Sequence, residues 1–324
     1  MLKTLAKPAP GNLDDLLGGE MLARLSSLDV SSRKVFAGKI KGERRSKRRG
    51  ESVEFADHRP YVSGDDLRHI DWNIYGRLDR FFLKLFLEEE DLSLHVVVDC
   101  SGSMGCGEPG KMLFAQRAAA ALAYIGLVNM NRVTLSALFS APPEGPEKDG
   151  AGATPGDAEA RTMTQLRNLR GRRRAFEMGS WVCGLRPGGE GSFTDAATRV
   201  ALARQGKGVM VVLSDFFFKD GYEAGLRRLI GRGYDVVCVQ VLSPQEVEPD
   251  LGGDLRLRDV EDGDVAEVTI SAPLLAKYKE NLAVYRERLR AFCAARDVAL
   301  ITVRSDLGVD TLVLDYLRSR GVLR

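Results

Sequence analysis

Apolar runs rich in β-branched residues recur along the chain after residue 92, separated by stretches of a different pattern. These runs predict buried strands over Leu92–Asp99, Val133–Phe139, Val209–Leu213, Tyr234–Leu242 and Val298–Val303. The stretch Lys111–Met130 is apolar almost all round, which is typical of a helix buried on most of its surface. Alternation of this kind predicts a Rossmann-like α/β fold, with a mainly parallel sheet and helices on both faces.

The segments between these runs complete the pattern. Helices are predicted at Arg174–Leu185, Thr194–Arg204, Tyr222–Ile230 and Val309–Arg320, an edge strand at Arg161–Arg167 and a hairpin within Leu255–Ile270. Another helix follows Ser271, with apolar residues at steps of three and four: Leu275, Tyr278, Leu282, Tyr285, Leu289 and Phe292. Because a strand follows at once, we expect this stripe to pack on the sheet rather than to bind a partner.

The N-terminal part of the chain has a different pattern. Residues 1–12 predict a flexible tail, and residues 13–91 predict a smaller, β-rich region that opens with an amphipathic helix at Leu13–Leu28. Two apolar runs, Phe82–Leu87 and Leu92–Asp99, flank a short acidic turn and predict antiparallel strands. Residues 92–324 form the predicted main domain, in which 141–160 is rich in Pro, Gly and acids and predicts a disordered insertion.

Composition narrows the class of protein. The 324 residues carry a net charge of +2, so only a local patch would attract nucleic acid or a membrane surface. The basic tract at 33–49 is such a patch, and we favour a solvated loop over a nucleic-acid or acidic-surface contact, because few aromatics lie near it. No stretch approaches the ~18 apolar residues of a membrane span. The five cysteines are scattered, which predicts reduced thiols in a cytoplasmic protein.

Oxygen-bearing side chains follow several predicted strands and predict a metal site. Asp99, Ser101 and Ser103 alternate directly after one strand, Asp215 ends another, and Thr194 opens a helix after a Gly-rich loop. Ligands collect at the carboxyl ends of central strands in open α/β sheets, so these side chains are expected to converge. Hard oxygen ligands suit Mg²⁺, with Mn²⁺ or Ca²⁺ as alternatives. This predicts a metal-dependent binding module rather than an enzyme.

Two alternatives stay open for the same residues. Small polar residues after a strand also serve turns and helix caps, so the fold could exist as a scaffold without metal. The segment Gly105–Lys111 matches a phosphate-binding loop except that Met112 stands where Ser or Thr is required, which leaves a degenerate nucleotide-binding enzyme as the other reading. His58, His69 and His95 show no pairing that would activate a nucleophile, and His95 is predicted to be structural.

The set Asp99, Ser101, Ser103, Thr194 and Asp215 resembles the metal-ion-dependent adhesion site of von Willebrand factor A domains, over about residues 92–305. Matched to that motif, Asp215 and Thr194 would reach the metal through water, and an acidic residue from a partner protein would complete the coordination.

The upstream segments Phe55–Tyr61 and Gly64–Trp72 resemble a bacterial family of unknown function, domain-of-unknown-function family fifty-eight, whose members are associated with MoxR-type AAA+ ATPases. The resemblance implies a partnership with such an ATPase in assembling or remodelling other proteins. Many relatives begin with membrane-spanning helices that are not found here, which also favours the cytoplasm. Trp72 is expected to be a packing residue.

Overall fold

Helices and strands alternate along most of the described chain, as the sequence pattern predicts. The computed structural model describes residues 10–31, 54–63, 65, 67, 70–87, 92–140, 163–188, 191–203, 208–258 and 265–324. In chain order its elements are α1 (Leu13–Leu17), α2 (Gly19–Leu25), β1 (Glu54–Pro60), α3 (Trp72–Leu78), β2 (Phe82–Leu87), β3 (Ser93–Asp99), α4 (Lys111–Val128), β4 (Arg132–Leu138), β5 (Met163–Leu169), α5 (Ala175–Cys183), α6 (Phe193–Leu202), β6 (Gly208–Ser214), α7 (Glu223–Ile230), β7 (Asp235–Leu242), α8 (Pro244–Val247), β8 (Gly253–Arg258), β9 (Val265–Ile270), α9 (Ala272–Ala294), β10 (Ala299–Arg304) and a final helical segment α10 (Thr311–Leu317).

The larger of two units comprises residues 1–38 and 92–324, and the smaller comprises residues 39–91. The predicted basic tract at 33–49, the acidic turn at 88–91 and the insertion at 141–160 lie outside the described residues, as do residues 1–9 of the predicted tail. Both divisions change after residue 91, but α1 and α2, which the sequence analysis grouped with the smaller region, belong to the larger unit.

A six-stranded sheet organises the larger unit, in the order β10-β7-β6-β3-β4-β5. The first five strands in this order run parallel to one another, and β5 is an edge strand antiparallel to β4. This confirms a mixed α/β fold with a mainly parallel sheet. The strand β3 lies between β6 and β4, and all of its residues are buried. The residue that follows it therefore emerges at the middle of the carboxyl edge.

Helices cover both faces of this sheet. Val96 and Val98 of β3 belong to the core that includes α4, whereas Val97 belongs to the opposite core, which includes α6 and α7. Such alternation is expected for a strand buried on both faces. A Cβ at Gly126 of α4 would lie 2.7 Å from Val133 Cγ2, so this glycine lets the helix approach the sheet closely.

The prediction that β2 pairs with the next strand is wrong. Instead, β2 pairs with β1 in the smaller unit, from Glu54 opposite Leu87 to Pro60 opposite Phe82. Both edges of β3 are already hydrogen-bonded, to β4 and β6, so no edge is left for an antiparallel neighbour. In that smaller unit Asp71 caps α3 and contacts His58 at 2.9 Å, while Trp72, expected to be a packing residue, is 63% exposed.

Two of the predicted helices differ in detail. The helix expected over residues 13–28 is two short helices, because Gly18 adopts a φ of +75° between α1 and α2. In α9 the stripe is buried at Leu282 and Leu289, but Leu274 and Tyr278 near its start remain 40% and 39% exposed. The first turns of α9 therefore stand clear of the main core, next to the confirmed hairpin of β8 and β9.

The core helix α4 bears on the expectation that no stretch of the chain could span a membrane. Over 18 residues it is long and apolar enough to cross a bilayer by length and composition, although 83% of that stretch is buried inside the protein. A buried core helix meets the same criterion of length and composition, so the expectation that the chain has no membrane span stays a prediction.

Candidate functional site

The strands β3 and β6 deliver two carboxylates to the same edge of the sheet. They are paired in parallel, with Val98 opposite Leu213, and Asp99 and Asp215 follow near the ends of these neighbouring strands. Both acids are buried, each with about 1% of its surface exposed. The topology therefore brings together Asp99 and Asp215, which are 116 positions apart in the sequence. They meet at the central strands, where ligands collect in such sheets.

Three of the predicted ligands form one hydrogen-bonded group. The Ser101 backbone N–H donates to Asp99 Oδ1 at 2.8 Å, and the hydroxyl oxygens of Ser101 and Ser103 lie 3.1 Å apart. On the other side, the Ser214 hydroxyl donates to Asp99 Oδ2 at 2.6 Å. These contacts link the three residues of the motif, and their role as metal ligands stays a prediction.

Burial and a neighbouring charge alter the ionisation of Asp99. Burial raises the pKa of this carboxyl to about 7, and repulsion from Asp215 adds to the rise. Hydrogen bonds from Ser214 and Ser101 act in the opposite direction and offset only part of it. A cation placed between the two acids would lower the pKa of Asp99 again. It would replace the solvation lost on burial and would screen the repulsion between the two carboxylates.

A lysine already supplies one positive charge here. Lys111 at the start of α4 has no exposed surface, and its Nζ donates to Asp215 Oδ2 at 2.8 Å and also to Glu246 Oε1. Burial lowers the pKa of Lys111, but attraction to Asp215 and Glu246 outweighs it and the pKa lies above its ordinary value. The lysine is therefore charged, and Asp215 is not free on its Oδ2 side.

Glu246 is a site residue that the sequence analysis missed. It lies in α8, directly after β7, where the Glu246 N–H donates to Ser243 Oγ at 3.2 Å and the Ser243 N–H donates to Glu246 Oε2 at 2.7 Å. This reciprocal pair is a capping box, whose Ser-x-x-Glu pattern is visible in the sequence. What the pattern cannot reveal is that the second carboxylate oxygen of Glu246 reaches Lys111.

Thr194 has hydrogen-bond partners other than the predicted ligands. It opens α6, its backbone N–H donates to Asp220 Oδ2 at 3.4 Å, and its carbonyl accepts from the Thr198 hydroxyl at 2.6 Å. Phe193 stacks on Phe218, with ring centroids 4.1 Å apart, which ties this helix start to the segment after β6. Within the described residues no hydrogen bond joins Thr194 to Asp99, Ser101, Ser103 or Asp215, so its contribution to the site stays a prediction.

The donor set that the structure brings together suits a hard divalent cation. Mg²⁺ binds oxygen at about 2.0–2.1 Å in octahedral order, which separates adjacent ligands by about 3 Å, close to the spacing of the two serine hydroxyls. The described residues contain no cluster of three or more His, Cys, Asp or Glu side chains arranged for a metal. A site here would therefore depend on hydroxyl oxygens and water as well as on carboxylates.

The comparison with family models covers most of the chain. Residues 57–288 match the family described as "Protein of unknown function DUF58". The chain belongs to this family. Its relatives include uncharacterized protein Mb1516 of Mycobacterium bovis and uncharacterized protein Rv1480 of Mycobacterium tuberculosis. Each is 26% identical over 316 residues, which covers 96% of this chain and 92% of the relative.

Two solved structures that align with this chain share less of its sequence than these relatives do. The conserved hypothetical protein BatB from Bacteroides thetaiotaomicron aligns with a TM-score of 0.43 and 13% identity over 71% of this chain and 98% of that chain. An aerotolerance-related membrane protein from Bacteroides fragilis aligns with a TM-score of 0.32 and 14% identity over 65% of this chain and 91% of that chain.

Proposed function

We propose that this member of the family is a non-enzymatic, Mg²⁺-dependent protein-interaction module with a von Willebrand A-type domain. It would work with a MoxR-type AAA+ ATPase in assembling or remodelling other proteins. The observation that carries the proposal is the convergence of Asp99, Ser101 and Ser103 beside buried Asp215 at the central carboxyl edge. The balance of charge supports it, because three acids face one lysine: Asp99, Asp215 and Glu246 against Lys111.

Some of these residues would bind the cation directly and others through water. Asp99, Ser101 and Ser103 would bind the cation directly, since their oxygens already form one group. Asp215 would act through water, as the resemblance to the adhesion-site motif implies, and its Oδ2 would keep the ion pair with Lys111. Thr194 would also act through water. With one direct carboxylate, the bound cation supplies net positive charge that attracts an acidic residue of the partner protein.

The metal part of the proposal is tested by titrating Mg²⁺ and Mn²⁺ into the wild type, Asp99→Ala and a control, Glu280→Ala, whose side chain is 63% exposed on α9. Calorimetry, or electron paramagnetic resonance for Mn²⁺, measures the affinity. We expect binding to the wild type and the control and a loss of binding in Asp99→Ala. Equal affinity in all three proteins would remove Asp99 from the site.

The partner part rests on the family resemblance and needs its own experiment. A purified MoxR-type ATPase from the same organism is tested for binding to the full chain, with and without a chelator. We expect the chelator and Asp99→Ala to weaken binding to a similar extent. Binding that is strong and insensitive to both changes would place the contact elsewhere on the surface.

The contacts of Lys111 bear on both alternative functions. A phosphate-binding loop needs its lysine available to phosphate, but this amine is buried between Asp215 and Glu246, so a nucleotide would have to displace two carboxylates. ATP turnover abolished by Lys111→Ala would nevertheless favour the enzyme.

A metal-free scaffold is the stronger alternative, because Lys111 already neutralises Asp215. Absence of Mg²⁺ and Mn²⁺ binding by the wild type would favour it.

A further inference from the structure

A cleft of about 700 Å³ opens beside the candidate metal site. One wall is the loop Cys106–Glu108 with residues of α8, and the other is formed by β9 and the start of α9. Its apolar lining is Leu251, Val268, Ile270, Leu274 and Leu275. The cleft is thus of the size that encloses a small molecule or a few side chains, rather than a helix or a second sheet edge.

Several polar groups of the wall are hydrogen-bonded to one another. Gln245 Oε1 accepts from the Glu108 N–H at 3.1 Å, and Gln245 Nε2 donates to the Glu108 carbonyl at 2.7 Å. The Tyr278 hydroxyl donates to the Glu246 carbonyl at 2.9 Å, and Ser243 Oγ accepts from the Glu246 N–H. These hydrogen bonds hold the side chains of the wall in place. A ligand would therefore contact mainly the apolar surface of the cleft. The group that enters the cleft should therefore be apolar.

The cleft and the candidate metal site share both a loop and a side chain. Ser103 belongs to the site, and three residues later Cys106 lines the cleft, with its N–H donating to the Ser103 carbonyl at 3.1 Å. Glu246 lines the cleft and also contacts Lys111, which contacts Asp215. One short ligand segment can therefore reach both places.

We propose that this cleft binds a large apolar side chain of the partner protein, close in sequence to the acidic residue that completes the metal site. The proposal rests on the proposed function and names the partner's recognition sequence: an acidic residue with Leu, Met or Phe a few positions away. The shared loop supports a protein side chain as the occupant, because Ser103 of the candidate site and Cys106 of the cleft are three residues apart and one peptide segment can contact both.

A phage-displayed library of random short peptides, selected on the full chain in Mg²⁺, tests the proposal. We expect enriched peptides to combine an acidic residue with a nearby large apolar residue. Their affinity should fall by about tenfold or more in Leu274→Asp and Leu251→Asp, because a carboxylate in the lining opposes burial of an apolar side chain. Both leucines are substantially exposed, at 40% and 49%, so the fold should tolerate these changes. The matched control Val284→Asp lies on the same helix as Leu274, is 45% exposed and is not part of the cleft.

Cys106 gives a second readout, which reports whether the cleft itself is occupied. It lines the cleft and is partly exposed, whereas Cys100, Cys183, Cys238 and Cys293 are buried. A bound peptide should slow its alkylation by N-ethylmaleimide, measured by mass spectrometry. The neutral dye N-phenyl-1-naphthylamine should protect Cys106 less than the peptide does, whereas equal protection would indicate a general lipid-like site and overturn the proposal.

The outcomes separate this inference from the proposed function. Enriched peptides that carry only acids and bind Leu274→Asp as well as wild type would overturn the inference and leave the metal site standing. Peptides sensitive to Leu274→Asp but indifferent to chelator and to Asp99→Ala would support the cleft and contradict the metal-dependent function. Failure to enrich any peptide would overturn the inference.

Discussion

Lys111 and Asp215 form a buried ion pair, with 2.8 Å between Nζ and Oδ2 and at most 1% of either side chain exposed. The pair joins the start of α4 to the end of β6, which are 104 residues apart in the chain. It fixes one side of Asp215 and brings a positive charge to the carboxyl edge of the sheet. The stability and the metal chemistry of this edge are therefore coupled through one lysine.

Replacing Lys111 by methionine should destabilise the protein by about 3–5 kcal/mol, because Asp215 would keep a buried charge without its partner. Urea unfolding in the presence of a chelator measures the change. The control is Lys277→Met, which breaks an exposed ion pair with Glu280 and should change the free energy of unfolding by less than about 1 kcal/mol. Equal effects of the two substitutions would contradict the proposed role of Lys111.

Saturating Mg²⁺ should restore more stability to Lys111→Met than to the wild type, since the cation would supply the charge that the lysine gave. Thermal unfolding with and without Mg²⁺ measures this difference. A Mg²⁺-induced shift that is the same in both proteins would show that lysine and metal do not act on the same carboxylate.

Asp99 should make the metal-free protein less stable as the pH rises. Its folded pKa of about 7 lies above the value near 4 of an unfolded aspartate, so the native state keeps a proton that the unfolded state loses. Stability contributed by Asp99 is present below about pH 4 and falls, by roughly 4 kcal/mol, as the pH rises through 7. Asp99→Asn should remove this dependence in urea unfolding measured across that range. An unchanged pH profile in the variant would contradict it.

His95 should act in the opposite direction. Burial, with a smaller effect from Arg167, lowers the pKa of this histidine to about 4, and its Nε2 lies 2.7 Å from Ser136 Oγ. Between about pH 6.5 and pH 4 the unfolded chain binds a proton that the native state does not, so about 3 kcal/mol of stability is lost on acidification. His95→Gln should abolish that loss. Because Asp99 and His95 oppose each other, the wild-type profile should be flatter than that of either variant.

Thr194→Val tests whether Thr194 belongs to the metal site. The hydroxyl is removed with little change in shape, so the fold should be preserved while a water-mediated contact to the metal is lost. We expect Mg²⁺ affinity to fall by about tenfold, as for other outer-sphere ligands, with an unchanged free energy of unfolding. Unaltered affinity would exclude Thr194 and reduce the set to Asp99, Ser101, Ser103 and Asp215.

The sequence indicated which segments would be strands and helices but not always how they would pair. Each parallel strand of the sheet was predicted as an apolar run, because burial on both faces requires one continuous run of apolar residues. The pairing of β2 was predicted wrongly, because a short acidic turn between two strands is also compatible with strands that belong to different sheets. The sequence analysis considered Lys111 only as part of a degenerate phosphate-binding loop. It did not predict the ion pairs of Lys111 with Asp215 after β6 and with Glu246 in α8.

Local spacing along the chain was enough to predict the α/β alternation and to select Asp99, Ser101 and Ser103, because each depends on residues that are close in sequence. Only in the folded chain do Glu246 and Lys111 join Asp215, does Thr194 stay outside this hydrogen-bonded group, and does a cleft open beside α9. These features arise where strand order and helix packing bring distant segments together. Periodicity within one segment carries no information about such contacts.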